Sequence, residues 1–322
     1  MTTRRTLLGL MACLPGAMCP VVAVAQLPGV VSIVVPAATG GALDNLTRLV
    51  AQKLQPVLGS TVVVENRPGA NAVVGTTYVS KAEPNGGLLL LADRTTVAVN
   101  PLLYSKLPYD ANAITGISDI AKLDFFFVVR SGAPYKTWEE MVAFARANPG
   151  KISVGTPGTG SAPHLSMELV GRSIGAKFTH VPYRGMGPAV NDILGGNIDA
   201  VIMGPEVWQH ISGGRIRVLA SGAEKRAPLL PDTPTLRELG FTEPLLLPTT
   251  FALFAPTGTS DDKLNTLNAA VRKVMADPDM IARFEALYVQ PVTSSPADVQ
   301  KDVAQLRDRM GKVIREVGVT LD

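Results

Sequence analysis

Ser161 and His164 stand three residues apart at the start of a helical pattern, just after a run that carries Gly155, Gly158 and Gly160. That spacing opens two chemistries. In the first, His164 takes a proton from Ser161 and the serine attacks a carbonyl carbon. In the second, the glycine run and the helix start capture an anion. The first N–H groups of a helix have no intrahelical partner, and the dipole adds about half a positive charge there. A carboxylate suits such a place as well as a phosphate does. More specific motifs fail on the stretch KISVGTPGTGSAPHLSMEL, Lys151 to Leu169. A nucleophile elbow needs G-x-S-x-G, but Ser161 follows Gly160 directly. The phosphate-loop spacing lacks its lysine, and Pro163 stands where a dinucleotide fingerprint has its third glycine. His164, His180 and His210 are scattered, with no HExxH, so a metal site is not expected. The Ser161–His164 spacing therefore reads better as a helix cap than as a catalytic dyad.

A strand and a helix must position this cluster. Ile152, Ser153 and Val154 read as the strand, and Leu165, Leu169 and Val170 give the helix an apolar face. The same design occurs twice more. Val30 to Val35 is a β-branched strand broken by Pro36-Ala37-Ala38-Thr39-Gly40-Gly41. A helix follows with Leu43, Leu46, Val50 and Leu54 at its spacing, Asp44 in its first turn and Gly59 as its stop. Phe178 to Val181 leads into Pro182-Tyr183-Arg184-Gly185-Met186-Gly187, a helix to Leu194 and a strand over Ile198 to Met203. Further strands are expected at Val62–Val64, Leu88–Leu91, Phe125–Arg130 and Ile216–Ala220, and further helices at Ala72–Ala82 and Thr137–Ala147. Asn100 to Ala121 reads as proline-broken and irregular. Beyond Pro244–Pro256 only helices are expected, the last opened by the capping box Ser295-Pro296-Ala297-Asp298.

Strands alternating with helices predict an α/β fold with parallel sheets. Ligands of open α/β sheets bind beyond the carboxyl ends of the strands. Three polar, glycine-bearing loops stand there, two in one part of the chain and one in another. That argues for a cleft between two lobes that binds without chemistry. The crossings near Phe125 and over Pro244–Pro256 divide the chain into residues 26–126 plus 251–322 and residues 127–250. Arg94 follows a first-lobe strand and is a candidate partner for a second carboxylate. Tyr183 and Arg184 either touch ligand or brace their loop.

The first 25 residues read as a signal peptide: Arg4 and Arg5, an apolar run from Leu7 to Met18 too short for a bilayer span, and the cleavage pattern Ala23-Val24-Ala25. Export by the twin-arginine or the general secretory route is expected, to the periplasm. Both cysteines, Cys13 and Cys19, lie in this leader, so a mature chain offers no disulfide or thiolate. A formal charge of +3, no basic run and 5% aromatics exclude a nucleic-acid partner. No cofactor is expected, and a monomer is expected.

Six segments together resemble the Bug, or tripartite tricarboxylate transporter receptor (TctC-like), extracytoplasmic solute-binding proteins: VVPAATGGALDNLTRLVAQKL, VVVENRPGANAVVG, VGTPGTGSAPHLSMEL, HVPYRGMGPAVNDILGGNIDAVI, LPDTPTLRELG and LFAPTGT. The resemblance spans nearly the whole mature chain. It implies a type II periplasmic-binding fold whose two α/β lobes close on a small carboxylate: a di- or tricarboxylate, an amino acid or an aromatic acid. It implies delivery to TctA/TctB-like membrane components. It also implies that Ala37, Ala38, Thr39, Gly40 and Gly41 hold one end of the ligand. The resemblance further implies that the loop from Gly155 to Ser161, with Thr156, Gly158, Thr159, Gly160 and Ser161, grips a carboxylate and that Asp199 lies near the site; His164, beside that loop, is a further candidate. Two departures bear on the ligand. Thr39 stands where the family's first loop has proline, and Thr250 where it has tryptophan. The alternatives are a secreted α/β hydrolase-like enzyme using Ser161 and His164, and a periplasmic sensor for a membrane kinase.

Overall fold

The computed structural model describes residues 27–211 and 213–321. The leader and its two cysteines lie outside the described residues. The chain runs β1 (Val30–Val35), α1 (Ala42–Leu58), β2 (Thr61–Asn66), α2 (Val73–Ser80), β3 (Leu88–Asp93), α3 (Arg94–Leu103) and β4 (Ile114–Leu123). It crosses to β5 (Phe126–Arg130), α4 (Trp138–Ala147), β6 (Ser153–Thr156), α5 (Ala162–Ile174), β7 (Thr179–Pro182), α6 (Met186–Gly195), β8 (Ala200–Met203), α7 (Trp208–Ile211) and β9 (Ile216–Ser221). It returns through β10 (Thr249–Pro256) to α8 (Asp261–Met275), α9 (Pro278–Ala286), β11 (Gln290–Pro291) and α10 (Pro296–Val317).

Two sheets result. The first has six strands in the order β11-β4-β10-β3-β1-β2, the second five in the order β7-β6-β8-β5-β9. In each, the strands followed by crossover helices are parallel: β1 with β2 and β3, β6 with β7 and β8. The strands that carry the chain between the sheets, β10 and β5, are antiparallel to their neighbours. Val31, Ile33, Val34 and Val35 of β1 are wholly buried, as a strand covered on both faces requires. α1 buries its Leu46–Val50–Leu54 stripe, and Gly59, at φ 66°, ends it in the left-handed conformation. After β10, α8 packs against α1, and α10 lies against α3 and β4.

Two expectations are corrected. The stretch from Asn100 to Ala121 is irregular only over residues 104–113: it begins with the last turn of α3 and ends in most of β4, a ten-residue strand. Its polar residues hid it, and each has a partner. Asp119 takes the Arg94 guanidinium at 2.9 Å, and Ser118 Oγ donates to the Asp119 and Ser294 carbonyls. Gly116 interrupts the apolar alternation because Val299 of α10 approaches within 2.4 Å of where its Cβ would stand. Finally, the tail is not purely helical, since the short β11 pairs with β4. The capping box at Ser295 is as expected, with Ser295 and Asp298 each accepting the other's backbone N–H.

Candidate functional site

Strand register places three loops at related edges. In the first sheet Val35 pairs with Asn66, and Asp93 with Phe251. β4 ends at that same edge, with Leu123 opposite Thr249, and there the chain leaves for β5. In the second sheet Thr156 pairs with Pro182, and Phe126 with Met203. The loops after Val35, Thr156 and Pro182 therefore all begin at the sheet edges that the crossings join.

The loop from Pro157 to Ser161 is tightly braced. Ser161 is the N-cap of α5, its Oγ accepting the His164 N–H at 3.3 Å and donating to the Gly158 carbonyl at 2.7 Å. The Ser161 N–H also turns to the Gly158 carbonyl. Gly160 sits at φ +79°, and a Cβ there would lie 2.5 Å from Leu103 Cδ1, so only glycine fits without rearrangement. The Gly160 N–H donates to His164 Nδ1 at 3.0 Å. The N–H groups of Gly158, Gly160 and Ser161 and the Ser161 hydroxyl thus bond within the loop and to its flanking residues. The Thr159 and Ala162 N–H groups find no acceptor among the described residues, and Pro163 has no N–H to offer.

His164 is buried, 3% exposed. Its ring stacks on His180 with centroids 4.0 Å apart, and His180 Nε2 shares a 2.7 Å hydrogen bond with Thr156 Oγ1. Burial, with the neighbouring His180, holds the His164 pKa down at about 4, so the ring is neutral at ordinary pH. The Ser161 hydroxyl meets the backbone of His164 and not its imidazole. A Ser161–His164 catalytic pair is therefore absent.

The loop after β1 is held from beneath. Asp44, 1% exposed, accepts from the Gly40 N–H at 2.8 Å, Arg48 Nε at 3.0 Å and Asn66 Nδ2 at 2.9 Å. These bonds, Arg48's foremost, hold its pKa at about 2 against the effect of burial. Asn66 Nδ2 also donates to the Ala37 carbonyl at 3.1 Å. Gly41 N–H turns back to the Ala38 carbonyl, and Thr39 is exposed at the tip. Asn66 and Asp44 are the supports that spacing alone missed. Their one signal was polarity where a strand ends and a helix begins.

In the third loop Tyr183 donates its hydroxyl to Asp192 at 2.6 Å, and burial together with that carboxylate raises the phenol to about 12. Tyr183 is thus a brace. Arg184 is exposed and makes no ion pair among the described residues. Two other candidates are corrected by position. Arg94 is no free cation, because Asp119 and Asp302 hold its Nη1 at 2.9 and 2.8 Å. It lines a cavity of about 340 Å³ with Thr250, Asp302 and Arg309. Asp199 precedes β8, at the opposite end of that strand from the loops. It accepts from Ser153 N–H and Oγ–H and from Arg130 Nε, which keep it ionised despite its burial.

Residues 46–319 match the family model described as the tripartite tricarboxylate transporter family receptor. The chain belongs to that family. Among its relatives, Protein BugT of Bordetella pertussis (strain Tohama I) is 32% identical over 324 residues, covering 100% of this chain and 99% of BugT. A structure from R. palustris with adipate has a TM-score of 0.77 at 28% identity, covering 90% of this chain and 98% of that one. MatC from Rhodopseudomonas palustris with bound malate gives 0.74 at 27% identity, covering 88% and 98%. This receptor is accordingly a solute-binding protein of the α/β periplasmic-binding fold and not an enzyme. No described helix is long and apolar enough to cross a membrane.

Proposed function

We propose that this receptor captures a small organic carboxylate in a cleft between two lobes, residues 26–126 plus 251–322 and residues 127–250. The lobes close about the crossings near Phe125–Phe127 and Pro248–Phe251. The observation that carries this reading is the N-terminus of α5, where the Thr159 and Ala162 N–H groups have no acceptor among the described residues and the neighbouring donors stiffen the loop. The Ala37–Gly41 loop and Arg184 supply the opposing wall and a cation. The adipate and malate bound by relatives support a dicarboxylate as the class to test first. The receptor is exported by its leader and serves tripartite-type membrane components.

A thermal-shift screen over mono-, di- and tricarboxylates tests the reading. A ligand at 100 times its dissociation constant adds about 2.7 kcal/mol of stability. The hit is then compared with its amide by calorimetry. An amide presents an N–H where the site offers only donors, so it should bind at least tenfold more weakly, about the worth of one charged hydrogen bond. Equal affinity for acid and amide would remove the anion site at α5.

A further inference from the structure

His164, buried, and His180, half-buried, touch the loop after β6 at its two ends. We infer that this stacked pair is a positioning device: it holds the Thr156–Ser161 loop in its carboxylate-gripping shape without contacting the carboxylate. The inference rests on the carboxylate reading above.

The connections form one chain of contacts. Thr156 Oγ1, at the end of β6, bonds to His180 Nε2 on β7. The His180 ring stacks on His164 at an interplanar angle of 19°. His164 Nδ1 then takes the Gly160 N–H. Thr156 Oγ1 in addition accepts the Gly158 N–H at 3.4 Å. Both the entry and the exit of the loop are thus tied to one pair of rings.

The tie sets the orientation of a peptide. With its N–H aimed at His164, the Thr159–Gly160 peptide must point its carbonyl the other way. Flip that plane and the Thr159 carbonyl, an acceptor, meets the neutral Nδ1, another acceptor. The N–H groups on either side, Thr159 and Ala162, are thereby aimed as a pair.

The acceptor role needs a neutral ring with its proton on Nε2. That nitrogen faces Glu168 Oε1 at 3.9 Å on the same helix. His180 is the other titratable group against the ring. Lys177 and Arg172 act on Glu168 in turn. Burial of both rings keeps them neutral. His164 therefore works through its lone pair, and not as a cation for the carboxylate.

The test compares His164→Asn with His164→Leu. Asparagine places its Oδ1 where Nδ1 stands and restores the acceptor. Leucine fills the buried space without one. A side chain that only filled space would be served at least as well by leucine. Two readouts are taken in the full mature chain. The first is hydrogen exchange of the Gly160 amide by NMR. The second is binding of malate, adipate, citrate and acetate by calorimetry. We expect His164→Asn to stay within about threefold of wild type in both. His164→Leu should lose about tenfold or more in affinity and exchange Gly160 at least tenfold faster, with the later amides of α5 unchanged. His180→Gln should likewise outperform His180→Leu. If His164→Leu binds as tightly as His164→Asn, or protects Gly160 equally, the positioning role is overturned and the receptor reading stands. If wild type binds none of the four acids while Gly160 is protected as expected, the carboxylate reading fails and the inference falls with it.

Discussion

Acidification should destabilise this protein through His164, by an amount that the structure sets. The ring titrates near its ordinary value of 6.5 when unfolded and at about 4 when folded. A group with a depressed folded pKa binds its proton first in the unfolded chain. Its contribution is complete above pH 6.5 and is lost as pH falls toward 4. The shift corresponds to about 3 kcal/mol in all at about 1.4 kcal/mol per pKa unit, of which about 2 kcal/mol should be lost between pH 7 and pH 4.5. A melt of the wild type alone would not reveal it. Asp93, which caps α3 through the Thr95 N–H, is raised by burial from 3.8 to about 6. Its effect has the opposite sign: the folded chain holds the proton more tightly, so stability falls as pH rises from 3.8 to 6. The two contributions are of similar size and nearly cancel. The informative quantity is the urea-unfolding free energy of wild type minus that of His164→Asn, measured from pH 4.5 to 7.5. This difference should fall by about 2 kcal/mol on acidification. A flat difference would mean that His164 is not held neutral by burial, and the reasoning about its lone pair would lose its basis. Asp93→Asn should show the reverse slope.

Three further outcomes are expected. Ser161→Ala should cost about 1 kcal/mol of stability through the lost cap and weaken a confirmed carboxylate by about tenfold, because its hydroxyl holds Gly158. Unfolding curves and calorimetry would show both, and unchanged stability would deny the cap. Arg94→Gln should cost about 3 kcal/mol by leaving Asp119 buried without its cation, yet leave carboxylate affinity nearly unchanged. A large loss of affinity at unchanged stability would instead make Arg94 a ligand contact. Gly160→Ala should lose about 1–2 kcal/mol for its left-handed backbone alone, with the methyl group also pressing on Leu103. Chemical denaturation that gives wild-type stability would contradict the geometry of the loop.

Much of the architecture was legible in local sequence. The β-branched run Val30–Val35 could be little but a buried strand. The stripe Leu46–Val50–Leu54 ending in Gly59 could be little but a helix with a left-handed stop. Both signals are periodic and short-range, so they survive reading one residue at a time. Ser161 was legible as a cap for the same reason. By contrast, β4 was invisible, because Gly116, Ser118 and Asp119 break its alternation. They are tolerated only where Val299, Ser294 and Arg94 arrive from distant parts of the chain.

The site divides in the same way. The sequence by itself determined that glycine loops precede helices at strand ends, and hence that an anion could be held there. Only the tertiary structure decided which groups remain to hold it. Nothing in the spacing of His164 and His180 announces that a helix and a neighbouring strand stack them. Nor does it show that one of them takes the N–H of Gly160. Arg94 read as a candidate partner for a ligand's second carboxylate, whereas α10 and β4 supply it with Asp302 and Asp119. Asp199 read as near the site until the direction of β8 put it at the far end of that strand. Charge pairing and strand direction depend on contacts between residues far apart in the chain, so they are properties of the packed molecule and of no single segment.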